Sequence, residues 1–253
     1  MGSGHDISVL AADSDSYGLQ LAEDKRALAP DDQWYPYGSL SNLSHLDLLL
    51  SPGHRDLYQL AGGERIADIG AADGDVAFFL ASHGFEVDII DWGPTNFNGL
   101  VGARRLAEHY KLPVDIHEVN LDAQFEIPRS HYGLVLFLGI LYHLQNPFFV
   151  LRQLSEHADN LLLSTRVAAK TPDGTLDLAT APVAYLVAPD EMNNDATNYW
   201  VFSMPGLRRL IHRTGWEILD EMTLGCTDGS SDPARQDRDE RAFMLLHSTR
   251  AAS

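Results

Sequence analysis

The chain has 253 residues, 45% of them hydrophobic, enough for one large α/β domain or a domain with a cap. Its 36 acids against 18 Lys plus Arg give a formal net charge of −18, which argues against a nucleic-acid binder, since phosphate neutralisation needs a basic face. A single cysteine, Cys226, excludes an intrachain disulfide and fits a reducing compartment; no apolar run approaches the roughly 20 residues of a membrane span.

Residues 1–33 are polar and acidic, and Asp6, Asp13 and Asp15 interrupt any signal-peptide pattern, so a cytoplasmic location is expected. Weak helical character runs from Tyr17 to Ala29. The aromatic cluster Trp34-Tyr35-Pro36-Tyr37-Gly38 packs on the core or forms a lid over a ligand. Leu43, Leu46, Leu49 and Leu50 mark a helix over 41–50, broken by Ser51-Pro52-Gly53, and a short helix over 54–61 follows. Residues 1–62 therefore form an N-terminal helical cap, and 63–253 the main domain.

Ile66–Ile69 is short and apolar, as a strand buried on both faces should be. Gly70 and Gly74 bracket a tight turn, and Val76, Phe79, Leu80 and His83 recur at helical spacing until Gly84 stops the helix. Phe85 to Ile90 is a second strand ending on Asp91. Strand, tight turn, helix and strand place backbone N–H groups beside a ligand, and Asp91 at the neighbouring strand end can accept from two ribose hydroxyls. The dinucleotide pattern G-x-G-x-x-G fits only at Gly70, because Ala72 and Asp75 occupy its other glycine positions. Asp68, two residues before Gly70, would repel a pyrophosphate but suits a ligand carrying an ammonium and a sulfonium. A turn that binds nothing is the bland alternative.

Trp92-Gly93-Pro94 is a turn, and a helix is expected from about Asn96 to Tyr110. Pro113 leads into a strand over 114–119, followed by Asn120-Leu121-Asp122. Asp122 either accepts from an adenine amine or serves as a turn residue. Tyr132–Leu138 is the most apolar strand, expected at the centre of the sheet, and it runs into Gly139-Ile140-Leu141-Tyr142-His143. Asn146-Pro147 opens a helix; 161–165 is a strand. Residues 166–199 show no period, and an aperiodic segment of that length is expected to be a functional lid. Ser203 and Pro205 start a helix reaching about Thr214; Trp216 to Leu224 and Arg241 to Ser248 are the last strands, forming a hairpin.

Seven strands alternating with helices predict a doubly wound, mostly parallel α/β sheet of the Rossmann-like kind, with a ligand at the carboxyl ends of its strands. Asp68, Asp91, Asp122 and Tyr142-His143 are expected at that edge. His143 is the candidate general base, with a structural histidine bonded to a backbone carbonyl as the alternative. No pair of histidines has ligand spacing, so no metal site is indicated.

The sequence Asp68-Ile69-Gly70-Ala71-Ala72-Asp73-Gly74 resembles the first motif of class I S-adenosylmethionine (SAM) methyltransferases, D/E-x-G-x-G-x-G, with Ala72 at the middle glycine. That likeness implies SAM as cofactor and S-adenosylhomocysteine (SAH) as product. The cofactor would lie among Asp68, Gly70, Ala71, Gly74, Asp91, Trp92, Leu121, Asp122 and Leu138. Gly139 to His143, Pro147, Asn198-Tyr199-Trp200 with Ser203, and Arg241-Ala242 are similar to the tRNA wobble-uridine methyl- and carboxymethyltransferase-like family over roughly 34–248. In carboxymethylating members a lysine, a tyrosine and an arginine grip the carboxylate of carboxy-SAM. Tyr142 and Arg241 match two of these, while Tyr37 stands nearest the place of the missing lysine, which leaves plain SAM as the expected donor. The resemblance implies His143 and Tyr142 at the reacting end and Tyr37, Tyr199, Trp200 and Arg241 near substrate. The resulting expectation is methyl transfer to oxygen or nitrogen of a small molecule, with a tRNA-modifying enzyme and a non-catalytic SAM-binding protein as rivals.

Overall fold

The computed structural model describes residues 4–192, 194–232 and 234–250. It divides into two units, one ending at Leu136 and the other beginning at Phe137.

In the first unit the strands β1 (Ile66–Ile69), β2 (Val87–Asp91), β3 (Val114–Glu118) and β4 (Tyr132–Leu138, which continues past the boundary) lie in the order β3-β2-β1-β4. All are parallel, with Asp68 opposite Ile89 on one side and Leu136 on the other. Every residue of β1 is buried, which explains why it is apolar except at Asp68. The helix after β1, here α4 (Asp75–Ser82), is buried from Asp75 to Ala81 and is apolar on all sides for that reason. Gly133 faces the backbone of Ala61, whose carbonyl oxygen would stand 1.8 Å from a Cβ, so no side chain fits there.

The N-terminal segment differs from its sequence reading. A single helix, α1, spans Ile7–Leu28, capped by Asp6 accepting from the Ser8 amide. Its buried positions Ile7, Leu10, Ser14 and Leu21 form a sparse stripe that includes a serine, and so leave a faint period. Two shorter helices, α2 (Asn42–Leu49) and α3 (Leu57–Leu60), follow, the latter capped by Asp56. The helix expected from Asn96 begins only at Val101, as α5 (Val101–Tyr110). Asn96 instead accepts from the Asn98 and Leu100 amides, and Gly99 and Leu100 are left-handed.

In the second unit α6 (Pro147–His157) is capped by Asn146, and β5 (Ala158–Val167) is twice as long as the strand expected over 161–165. Two short strands, β6 (Ala184–Leu186) inside the aperiodic stretch and β7 (Trp200–Phe202) just after it, pair with each other, and β7 also pairs in parallel with β5. The helix α7 (Met204–Arg213) is capped by Ser203, whose hydroxyl accepts from the Gly206 amide. The strands β8 (Trp216–Gly225) and β9 (Glu240–Ser248) form the expected hairpin, and β9 runs antiparallel to β5. No helix among the described residues is long and apolar enough to cross a membrane.

Candidate functional site

The turn after β1 is held in one shape by left-handed backbone at Gly70 (φ 70°), Ala72 (φ 55°) and Gly74 (φ 83°). A Cβ on Gly74 would come within 2.6 Å of Ile89 Cδ1, so glycine is needed there for conformation and for space. Ala72 keeps the conformation a glycine would adopt, which is how the turn tolerates the departure from its motif.

Asp73 is buried inside the turn and pins it. Its Oδ2 accepts from the Tyr35 amide (2.8 Å) and Lys25 Nζ (3.0 Å), and its Oδ1 accepts from Asn98 Nδ2 (2.7 Å). Lys25 also pairs with Asp75 Oδ1 at 2.7 Å and lies over the ring of Trp34. Trp34 itself is buried, its indole N–H directed at the carbonyls of Lys25 and Ala29, so it packs on the core. Tyr37, by contrast, is 70% exposed, in edge contact with Tyr35.

Asp91, at the end of β2, accepts from the Ala72 amide (3.2 Å), the Trp92 amide (2.7 Å) and Asn96 Nδ2 (2.9 Å). Asp68 is buried at the end of β1. Burial, then the negative charges of Asp91 and Asp75, push its carboxyl up to about 7. Burial also raises Asp91, against the three hydrogen bonds it accepts. The turn thus gathers four carboxylates, and Lys25, the cation paired there, is engaged by Asp73 and Asp75. Leu121 is buried and Asp122 exposed, its amide donating to Asn120 Oδ1.

In the second unit Leu138 ends β4, and Gly139 (φ 85°) donates to the Ser164 carbonyl before a single tight turn over Leu141–His143. Tyr142 is buried, and its carbonyl accepts from the Tyr199 amide at 2.8 Å. His143 Nδ1 lies 3.1 Å from the Thr197 carbonyl and 3.0 Å from its hydroxyl, which in turn donates to Asp195. A proton on Nδ1 satisfies the carbonyl and leaves Nε2 as the basic nitrogen. Burial, then the nearby guanidinia of Arg166 and Arg241, lowers the imidazole below its usual value, so it is neutral at pH 7. The carbonyl bond that a structural histidine would make is present, but it occupies only one of the two ring nitrogens. Trp200 Nε1 is buried without a hydrogen-bond partner among the described residues, and the Tyr199 hydroxyl accepts weakly from Gln145.

The fold is that of the class I SAM-dependent methyltransferases. The N-terminal domain of EvdMO1 with SAH bound is similar at 17% identity over 90% of this chain and 95% of its own, with a TM-score of 0.56. A SAM-dependent methyltransferase from Mesorhizobium loti matches at 14% identity over 73% and 90%, with a TM-score of 0.51. The [4+2]-cyclase SpnF matches at 14% identity over 85% of each chain, with a TM-score of 0.55. No protein-family profile matches the sequence, and no curated protein does.

Sequence reasoning passed over several residues that shape these sites. Lys25 stands in a weakly periodic helix and carries no motif. Asn96 and Asn98 looked like a helix start, although two asparagines after Gly93-Pro94 are a turn signal. Arg166 opens the aperiodic segment and carries no motif of its own. A further cluster on β2 and β3 brings ligand atoms of Asp88, Asp115 and His117 within 4.8 Å of one another. There Arg65 and Arg129 supply the positive charge, both paired with Asp88 and Asp115, and Tyr132 donates to Asp88 as well.

Proposed function

We propose that this chain is a SAM-dependent methyltransferase acting on an oxygen or nitrogen of a small molecule. The observation that carries the reading is Asp68: a buried carboxyl pushed up to about 7, facing Asp91, with Lys25 committed to Asp73 and Asp75. A ligand that brings a cation and hydroxyl donors relieves that arrangement, and a pyrophosphate would worsen it. Asp68 would take the ammonium side of SAM, and Asp91 the ribose. The turn through Gly70, Ala71 and Gly74, left-handed at both glycines, offers backbone close to the ligand, while Trp92, Leu121 and Asp122 would surround the adenine. SAH bound to the similar EvdMO1 domain supports the same ligand class.

SAM, when bound, supplies an electrophilic methyl group on a sulfonium. The residues of this chain must orient the acceptor and remove a proton from its hydroxyl or amine. His143 Nε2 is suited to accept that proton, because Nδ1 is held by Thr197 and the ring is neutral at pH 7. Tyr142, Tyr199 and Trp200 would shape the acceptor pocket. The similar SpnF is a [4+2]-cyclase, so a likeness of fold does not by itself fix the chemistry. A tRNA acceptor is disfavoured by the net charge of −18.

Calorimetry on the full chain with SAM, SAH and NAD tests the cofactor. SAM and SAH should bind and NAD should not; preferential binding of NAD, or no binding of SAM, would overturn the proposal.

A further inference from the structure

The aperiodic stretch of the second unit encloses a cavity that the methyltransferase reading does not use. Its outer part has a volume of about 320 Å³ and is lined by Thr171, Asp173, Thr175, Leu176, Tyr185 and Glu191. Tyr185 and Glu191 also border a deeper hollow, floored by Ala168, Leu178, Val187, Met192 and Val201. All five floor residues are buried. Backbone bonds fix the walls: Ala168 donates to the Phe202 carbonyl, Thr171 to that of Leu176, and Leu178 to that of Ala169. A preformed space of this size takes a small molecule, and the floor removes an apolar body from water.

The mouth of the cavity is negative. Asp173 accepts from the Thr171 hydroxyl (2.6 Å) and from the Thr175 amide and hydroxyl, and these bonds hold its carboxyl below the usual range. Glu191 accepts from the Tyr185 hydroxyl (2.5 Å) and the Ala188 amide (2.6 Å). Asp173 also acts electrostatically on Tyr185, so both acids flank one hydroxyl. Asp232 and Lys170 stand at the rim of the hollow. Among the described residues, neither Asp173 nor Glu191 forms an ion pair, and Lys170 alone cannot balance three carboxylates. An acidic rim by itself is ordinary in a chain with 36 acids; this one surrounds an apolar cavity. Its oxygens do not converge as metal ligands must. Among the described residues that occurs at Asp88, Asp115 and His117, where Arg65 and Arg129 are already paired. The cation that fits here therefore carries a body.

We propose that this cavity binds a small primary amine with an apolar body, and that its occupancy reaches His143. The ammonium would sit between Asp173 and Glu191, whose oxygens keep free lone pairs for its three donors, and the body would rest on the Met192 floor. The floor and the histidine are fastened to one segment. Val187 donates to the Tyr199 carbonyl, the Met192 carbonyl accepts from the Asp195 amide and Asn198 Nδ2, and Thr197 holds His143 Nδ1. A ligand that orders the floor thus acts on the support of His143. The site goes beyond the methyltransferase reading and does not depend on it.

The test uses the full chain without cofactor and hexylammonium, hexan-1-ol and hexanoate as probes at constant ionic strength. The Met192 methyl resonance is identified by its loss in Met192→Leu, and the His143 ring resonance by its loss in His143→Gln. Hexylammonium should shift both saturably with one midpoint. Hexan-1-ol and hexanoate should bind about fivefold more weakly or worse, because they lack the ammonium. Asp173→Asn with Glu191→Gln, both at exposed positions, should weaken hexylammonium by a similar factor and leave hexan-1-ol unchanged. A Met192 signal indifferent to hexylammonium in the wild-type chain would overturn the site. Hexan-1-ol binding as tightly as hexylammonium would overturn the assignment of an amine. A His143 signal that stays fixed while Met192 saturates would overturn the link to the candidate base. None of these measurements needs SAM, so failure here leaves the cofactor reading to its own calorimetry.

Discussion

Asp68 is buried and Asp91 half-buried, and their neighbours differ as well. Asp91 already accepts three hydrogen bonds, whereas Asp68 faces two negative charges. Binding of a cationic ligand requires Asp68 ionised, so SAM affinity should climb as pH rises through about 7 and level off above it. Asp68→Asn should abolish that dependence and weaken SAM at pH 8 by about 1.5–3 kcal/mol, the range for hydrogen bonds to a charged group. Calorimetry between pH 6 and 8.5 checks both statements, and a flat wild-type profile would contradict them. At His143, Ala should reduce turnover by about 10²–10⁴-fold with SAM affinity unchanged. Its thermal midpoint should move little, because the ring's bonds to Thr197 are half-exposed; a strongly destabilised variant with normal kcat would return the residue to a structural role. Ala72 sits in a left-handed conformation that disfavours a side chain by about 1–2 kcal/mol, and glycine gives back roughly 0.5–1 through unfolded-state entropy. Ala72→Gly should therefore stabilise the protein by about 0–1.5 kcal/mol in urea denaturation.

Among the elements, α1 ties the N-terminal segment to the turn after β1 through a single lysine. Lys25 touches Asp73 and Asp75, both buried, so Lys25→Met would leave two carboxylates without their cation. Breaking a buried pair from one side costs about 3–5 kcal/mol, and restoring neutrality with Asp75→Asn in the same chain should recover part of it. Denaturant midpoints of the single and double variants measure this; additive losses would mean that Lys25 acts by packing alone. This latch was not legible beforehand. Ile7, Leu10 and Leu21 are too far apart for a clear helical period, and a lysine on a polar helix looks solvated. The strands β1 and β4 were legible to the residue, because burial on both faces favours a mainly apolar run, interrupted in β1 by Asp68. The caps Asn146 and Ser203 were equally plain, since each precedes a proline that fits a first helical turn. The strands β6 and β7 span three residues each, too few for any period to show, and their pairing is decided by contacts distant in sequence. The cofactor half of the candidate site could be read locally because its residues follow one another through a turn. The guanidinia near His143 could not, because Arg166 and Arg241 meet only through the register of β5 and β9.

For the whole molecule, the net charge of −18 sets a pH response that two groups of carboxylates shape in opposite directions. Asp68 has a folded pKa of about 7 against 3.8 unfolded, so the folded state holds its proton more tightly. Its contribution to stability is complete below about 3.8 and is lost as pH rises to 7. Asp88 is the reverse. Hydrogen bonds from Arg129, Tyr132 and Arg65 outweigh burial and hold it below 3.8, so its contribution is present above that value and is lost on acidification. Repulsion among 36 acids adds to the first trend, because it grows as carboxylates ionise and is screened by salt. The thermal midpoint of the ligand-free chain should accordingly rise from pH 8 to about 6 and collapse below about 4. Raising NaCl from about 0.05 to 0.5 M should lift the midpoint at pH 8 more than at pH 5.5, where fewer carboxylates are charged. Saturating SAM at pH 8 should lift it further and flatten the slope between 6 and 8, because the ligand's cation stabilises the ionised Asp68. Differential scanning calorimetry over this grid of pH, salt and SAM is the measurement. A midpoint highest at pH 8 in low salt without ligand would mean that neither Asp68 nor the net charge governs stability. The assignment of the β1 turn as an unbalanced anionic site would fall with it.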